Sequence, residues 1–266
     1  MKKKNYKYIY GPVNSWRLGT SLGIDPVAGL VKTCSFDCIY CQIGRTKKLT
    51  HDREEFVSVA DIVNEINSLP EIAIDYVTFA GIGEPTLAKN LDKMIPAVKM
   101  IRKEKIAVIT NSTTLHLKEV RSTLCLSDFV LAKLDACSKS SLKDISRPAH
   151  GVTMENIIEG LMRFRSEYAG KLAVQIMFIE GNKSLVKDLA ALVNTIKPDE
   201  VQINTPLRPC AATPLKQAEI LNIRDEFVKT CAPNGIKVIS VYDSVVKNVV
   251  TAISSAETMR RRGKPV

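Results

Sequence analysis

No stretch of the 266-residue sequence approaches the roughly 18–20 uninterrupted apolar residues that a membrane span requires. The lysines at its start, Lys2 to Lys4, are followed by Asn-Tyr-Lys-Tyr-Ile-Tyr rather than by the apolar run of a secretory signal, so the chain is expected in the cytosol. Histidine is scarce, with three in all, and neither His51 nor His116 stands in a pattern that marks a ligand. Acidic residues are outnumbered: 28 Asp and Glu face 38 Lys and Arg, and the resulting net charge of +10 favours an anionic partner without naming it. Outside one cluster, cysteines set close together are also missing. None precedes Cys34, and Cys125, Cys137, Cys210 and Cys231 are scattered, which argues for a reducing compartment and against a disulfide framework or an auxiliary metal cluster. With 45% apolar and 25% charged residues, the composition excludes extended disorder away from the chain ends.

What the sequence does have is Cys34-Ser-Phe-Asp-Cys38-Ile-Tyr-Cys41, three thiols within eight residues. A structural zinc site can use such spacing, but it needs four ligands, and only His51 lies near. A thioredoxin-like pair would use Cys38 and Cys41 and leave Cys34 without a role. An iron–sulfur cubane uses all three, since a short loop can offer three thiolates to three irons. A [4Fe–4S] cluster ordinarily takes four cysteines, and with no fourth nearby one iron would stay open to a small ligand.

The Cys-x3-Cys-x-aromatic-Cys loop resembles that of the radical S-adenosylmethionine enzymes. The flanking residues 11–25 and 41–46 resemble a largely uncharacterised branch related to the tRNA wyosine-base synthases, and the resemblance covers about residues 9 to 240. It implies a [4Fe–4S] cluster held by Cys34, Cys38 and Cys41, with S-adenosylmethionine chelated at the open iron. It further implies reductive cleavage to a 5′-deoxyadenosyl radical, with an external electron donor of the flavodoxin or ferredoxin type. The wyosine synthases carry extra cluster cysteines upstream of the main motif; their absence here argues against assigning that reaction.

Along the chain, strand-like runs at 21–25, 75–80, 106–110, 129–134, 172–179 and 200–204 alternate with helical patterns at 57–69, 91–102, 115–122, 153–166, 185–196 and 216–230. Strands alternating with long helices call for βαβ units and a parallel sheet. Periodicity alone leaves an open doubly wound sheet as an alternative; the family resemblance implies a partial (β/α)6 TIM-like barrel. Residues 1–20 are expected as a cover segment, 21–235 as the barrel, and 236–266 as a small C-terminal appendage with a basic tail at 260–264.

In parallel α/β folds ligands gather at the carboxyl ends of the strands. After the second strand comes Gly81-Ile-Gly83-Glu84-Pro, where glycines permit close backbone approach and the acid can meet a cationic amine. It resembles the Gly-Gly-Glu motif that holds the amino group of S-adenosylmethionine, with Ile82 as a departure. Asn111 and Asp135 end the next two strands, at positions the family uses for the ligand's carboxylate or ribose, and Tyr40 matches an aromatic position near the adenine. Arg147 and His150, and Arg208 after the sixth strand, are candidates to meet an anion. The substrate is read as an anionic molecule, with tRNA or a nucleotide favoured by kinship and charge. The alternatives are a glycyl-radical or peptide-activating enzyme and a non-enzymatic electron carrier, which would have no use for the glycine loop.

Overall fold

The structure is a computed structural model that describes residues 6–243 and 258. Its strands are β1 (Ile9–Ser15), β2 (Gly19–Ile24), β3 (Thr33–Cys34), β4 (Lys48–Leu49), β5 (Tyr76–Phe79), β6 (Lys105–Thr110), β7 (Phe129–Lys133), β8 (Lys171–Met177), β9 (Glu200–Asn204) and β10 (Lys237–Ser240). Its α-helices are α1 (Val59–Asn67), α2 (Leu91–Ile101), α3 (Lys118–Leu124), α4 (Lys139–Ser141), α5 (Met154–Glu167), α6 (Val186–Ile196) and α7 (Gln217–Cys231). Eight strands form one sheet in the order β1-β2-β5-β6-β7-β8-β9-β10. Every pairing from β2 onward is parallel, and β1 runs antiparallel to β2.

The strand order follows chain order without a reversal, which a doubly wound sheet would show at its switch point. Right-handed crossovers that always step the same way place every helix on one face, so the sheet curls into a partial barrel. Six βα units precede β10, in agreement with the expected (β/α)6 count. The strand at 237–240, expected in a separate appendage, is instead the seventh parallel strand of this sheet, paired from Lys237 to Ser240 with Glu200 to Ile203. The crossover helix α7 gives it the length of chain that a parallel pairing requires. The remainder of that expected appendage, at 245–254, and the basic tail lie outside the described residues.

Alternation along each strand separates two cores. On β6, Ile106 and Val108 face the main core beneath the helices, while Ala107 and Ile109 face an inner cluster with Leu18, Phe129, Leu131 and Ala173. The helices dock by single apolar faces, such as Met94, Ile95 and Val98 on α2 and Leu161 with Phe164 on α5. Ser58 and Thr153 cap α1 and α5 through hydrogen bonds from the Asp61 and Asn156 N–H groups. Helix α3 starts at Lys118, later than the periodicity suggests, because Ser112 takes a left-handed φ of 74° and a turn occupies the residues that follow. Among the described residues no helix is long and apolar enough to cross a membrane.

Candidate functional site

The loop that carries the three cysteines leaves β2 and is pinned at both ends. Thr33 and Cys34 pair with Lys48 and Leu49 as a short parallel bridge. The Thr46 N–H donates to Asp37 Oδ1 at 2.6 Å and its hydroxyl to the Phe36 carbonyl at 2.7 Å. Within the loop the Cys41 N–H donates to the Cys38 carbonyl at 3.0 Å. The segment 146–150 lies alongside as a splint: the Asp37 N–H donates to Ser146 O, the Ala149 N–H to Ser35 O, and Phe36 bridges Pro148. Arg147 and His150 are exposed on that splint, so its contribution to the site is backbone.

Three thiols held this way repel one another as thiolates. Burial, followed by the charge of Glu84, pushes Cys34 up to about 12, and burial with the neighbouring Cys34 pushes Cys38 higher still. A cationic centre bound there would oppose that rise and hold the ligating sulfurs as thiolates. Lys32, which the sequence reading passed over, supports the same end: its ammonium donates to Cys41 Sγ at 3.0 Å and to the Gly44 carbonyl at 2.7 Å. Among the described residues no three His, Cys, Asp or Glu side chains close around a single ion. A cubane differs in presenting separate irons to separate thiolates, and this donor set fits it.

The glycine loop after β5 is bound directly to the cysteine loop. A Cβ on Gly83 would lie 1.9 Å from the Thr33 carbonyl oxygen, and one on Gly81 would lie 2.1 Å from the Asp25 carboxyl carbon. The close approach that these glycines permit is thus to the protein's own chain, and the Glu84 N–H donates to Thr33 O at 3.2 Å. Glu84 is 2% exposed, and its carboxylate accepts from Thr86 N and Oγ1, from Thr110 Oγ1 at 2.7 Å, and from the Asn111 N–H at 2.7 Å. Burial raises its pKa, and those hydrogen bonds oppose the rise. Asn111 completes the link, its amide donating to Ser35 Oγ at 2.8 Å and lying 3.6 Å from Cys34 Sγ.

Across the mouth, the buried Asp135 accepts from the Tyr40 hydroxyl and the Lys133 ammonium, and from the Met177 N–H at 2.6 Å. Burial and then the Asp135 charge hold the Tyr40 phenol well above its ordinary range, so it acts as a donor. Lys133 also sits over the Tyr40 ring, its ammonium 5.4 Å from the ring centroid. The expected residues Tyr40, Gly81, Gly83, Glu84, Asn111 and Asp135 therefore all stand around the cysteine loop at one end of the sheet.

Beside them a cavity of about 410 Å³ runs into the barrel, lined by Tyr10, Trp16, Arg17, Gln42, Gly81, Asn204 and Arg208 among others. Arg208, expected at the mouth, is there, and its Nε donates to Gln42 Oε1 at 2.7 Å. Arg17 comes from the turn between β1 and β2, within the segment 1–20 expected to lie over the barrel. Of the remaining cations, Arg45 faces Asp37 at 3.6 Å and Lys48 pairs with Glu54. Lys2 to Lys4 and the tail at 260–264 lie outside the described residues. Cys125 is exposed and Cys231 buried, and Cys210 packs against the apolar patch that includes Tyr40 and Cys38.

The profile of the Radical SAM superfamily matches residues 30–193. A UPF0026 protein of Synechocystis is 42% identical over 202 residues, covering 76% of each chain. A second UPF0026 protein, from Methanocaldococcus jannaschii, is 35% identical over 94% of this chain and 83% of its own. Among solved structures, Streptococcus suis SuiB bound to S-adenosylmethionine superposes with a TM-score of 0.61 at 15% identity, over 79% of this chain and 48% of SuiB. The chain thus spans about half the length of that protein, and the likeness is one of fold.

Proposed function

The chain belongs to the Radical SAM superfamily of enzymes, and on that footing we propose that it uses Cys34, Cys38 and Cys41 to hold a [4Fe–4S] cluster and takes a hydrogen atom from an acidic substrate seated in the barrel cavity. The observation that carries this reading is the bonding of the cysteine loop to the Gly81–Glu84 loop through Thr33, beside a cavity that both loops reach. The chemistry such a cluster supplies when bound is one electron delivered to the sulfonium of S-adenosylmethionine, which frees an adenosyl radical able to take hydrogen.

The rest is the work of this chain. Asn111 and Lys32 stabilise thiolates with N–H groups, Lys32 with a full charge as well. Backbone at Gly81 to Glu84, with Asn111 and Asp135, would hold the cosubstrate's amino acid and ribose, and Tyr40 would lie near its base. An external one-electron protein of the flavodoxin or ferredoxin type would supply the reductant.

Modification of tRNA or a nucleotide, suggested by net charge and kinship, is the alternative use of the same mouth. The acidic small molecule is favoured because Arg45 and Lys48 in the cluster loop are already paired with acids, while the cavity is sized for a small ligand. The test is anaerobic reconstitution: the protein should hold about four irons and, with a strong reductant, convert S-adenosylmethionine to 5′-deoxyadenosine. Alanine at Cys34, Cys38 or Cys41 should abolish both. Zinc near one per chain with no iron uptake would sink the assignment.

A further inference from the structure

Inside the barrel, two arginines from opposite ends of the sequence face one cavity. Arg17 stands on the turn between β1 and β2, and Arg208 follows β9, so the wall between them is formed by the two sides of the partial barrel. Their guanidinium charges act on one another: burial, and then Arg208, lower Arg17 to about 10. Among the described residues Arg17 forms no ion pair with an Asp or Glu. Neutral groups steer it instead. The Gln175 amide lies 2.6 Å from Arg17 Nε and accepts from it once its oxygen is turned to that side, and the Trp16 ring lies 4.9 Å from the guanidinium carbon. On the opposite wall Gln42, the residue after Cys41, orients Arg208.

Both guanidiniums are half-buried, and like charges facing one cavity repel, a repulsion that an anion bound between them would relieve. Guanidinium is the side chain whose forked donors match carboxylate and phosphate oxygens. The remaining lining includes the polar Asn14, Ser21, Thr78, Asn204 and Thr205, and the volume suits a small molecule or one residue of a chain. We propose that Arg17 and Arg208 form an anion subsite that grips the carboxylate or phosphate of the substrate and hangs the rest of it toward the Gly81 and Gln42 side of the cavity. This rests on the radical reading for its place in catalysis; the subsite itself does not.

Trp16 is the sole tryptophan and lines the cavity, so its emission reports occupancy. Reconstituted protein with the cluster oxidised and S-adenosylmethionine saturating is titrated with inorganic phosphate and, separately, acetate, at constant ionic strength held by chloride. A saturable change in Trp16 emission is expected, and the tighter of the two anions identifies the acid group. Arg17→Gln and Arg208→Gln should each weaken it at least tenfold. Arg17→Lys and Arg208→Lys, which keep the charge, should weaken it less, and circular dichroism checks that each variant is folded. The proposal is overturned if neither anion gives a saturable response, if the Gln variants respond like the parent, or if saturating S-adenosylmethionine abolishes the response, which would give the arginines to the cosubstrate. A saturable response in protein that makes no 5′-deoxyadenosine would keep the subsite and remove the radical reading.

Discussion

The Asn111 N–H donates to Glu84 Oε2 at 2.7 Å while the Asn111 side-chain amide lies 3.6 Å from Cys34 Sγ. One residue at the end of β6 thus couples the acid of the glycine loop to the first cysteine. The glycine loop and the cysteine loop are thereby joined by hydrogen bonds through Asn111 as well as by the Glu84 N–H to Thr33 O bond.

Glu84→Gln replaces an acceptor of four hydrogen bonds by a group with one acceptor and one donor, and the donor would face another N–H. Stability should fall by about 1.5–3 kcal/mol, and S-adenosylmethionine affinity should drop with it while the cluster spectrum is retained. Denaturant unfolding and a binding titration read the two effects, and parent-like values in both would show that Glu84 has no such role.

Asp135→Ala strips the acceptor from Tyr40, Lys133 and the Met177 N–H at once, whereas Tyr40→Phe removes a single donor. The first should cost more stability than the second, by about 1–3 kcal/mol for the stranded groups. Both should weaken S-adenosylmethionine binding, Asp135→Ala more. Equal effects would mean that Asp135 acts only through Tyr40.

Asp37 ties the end of the cluster loop. Burial alone would raise its carboxyl, but the Thr46 N–H, Lys32 and Arg45 outweigh it and hold the folded pKa below the ordinary 3.8. A depressed carboxylate gives stability that is present above the unfolded pKa and lost as pH falls through the folded one. In apoprotein, Asp37→Asn should therefore be less stable than the parent at neutral pH, and the difference should shrink below about pH 3.8. Arg45 is 83% exposed, so most of the effect belongs to the Thr46 N–H. A pH-independent difference in urea unfolding would contradict this.

If tRNA were the substrate, affinity would fall steeply with salt and would depend on Arg45, Lys47 and Lys48. With Arg45 and Lys48 already paired to acids, filter binding of bulk tRNA should be weak even at low salt and little altered when all three become Ala. Tight binding lost in the triple variant would restore the nucleic-acid reading.

The parallel architecture was legible because its strands are continuous apolar runs and its helices carry one apolar face. The grouping of the candidate residues was legible wherever they are local in sequence or end a strand: Cys34 to Cys41, Gly81 to Glu84, Asn111 and Asp135. Long-range partners were not. Lys32 meets Cys41 only because the loop folds back, and Arg17 meets Arg208 across 191 residues of chain, a pairing set by barrel curvature that no periodicity encodes. The glycines were read as making room for a ligand, but Gly83 makes room for the Thr33 carbonyl, since sequence shows that space is needed and not what fills it. β10 was set apart because a four-residue strand after a Gly-containing turn looks the same whether it ends a sheet or begins an appendage.

The turn from β1, among the described residues the one antiparallel strand of the large sheet, into β2 precedes the repeating βα units, which begin at β2. It supplies Trp16 and Arg17 to the cavity, while the loops that would carry the cluster and its cosubstrate come from the units themselves. On the proposed reading, part of the grip on the substrate's acid group would fall to this turn, apart from the loops that would generate the radical. If so, exchanging Trp16 and Arg17 would change which acid is admitted without rewriting the cysteine or glycine loops, and grafting this turn between relatives would move substrate choice while leaving the reaction in place.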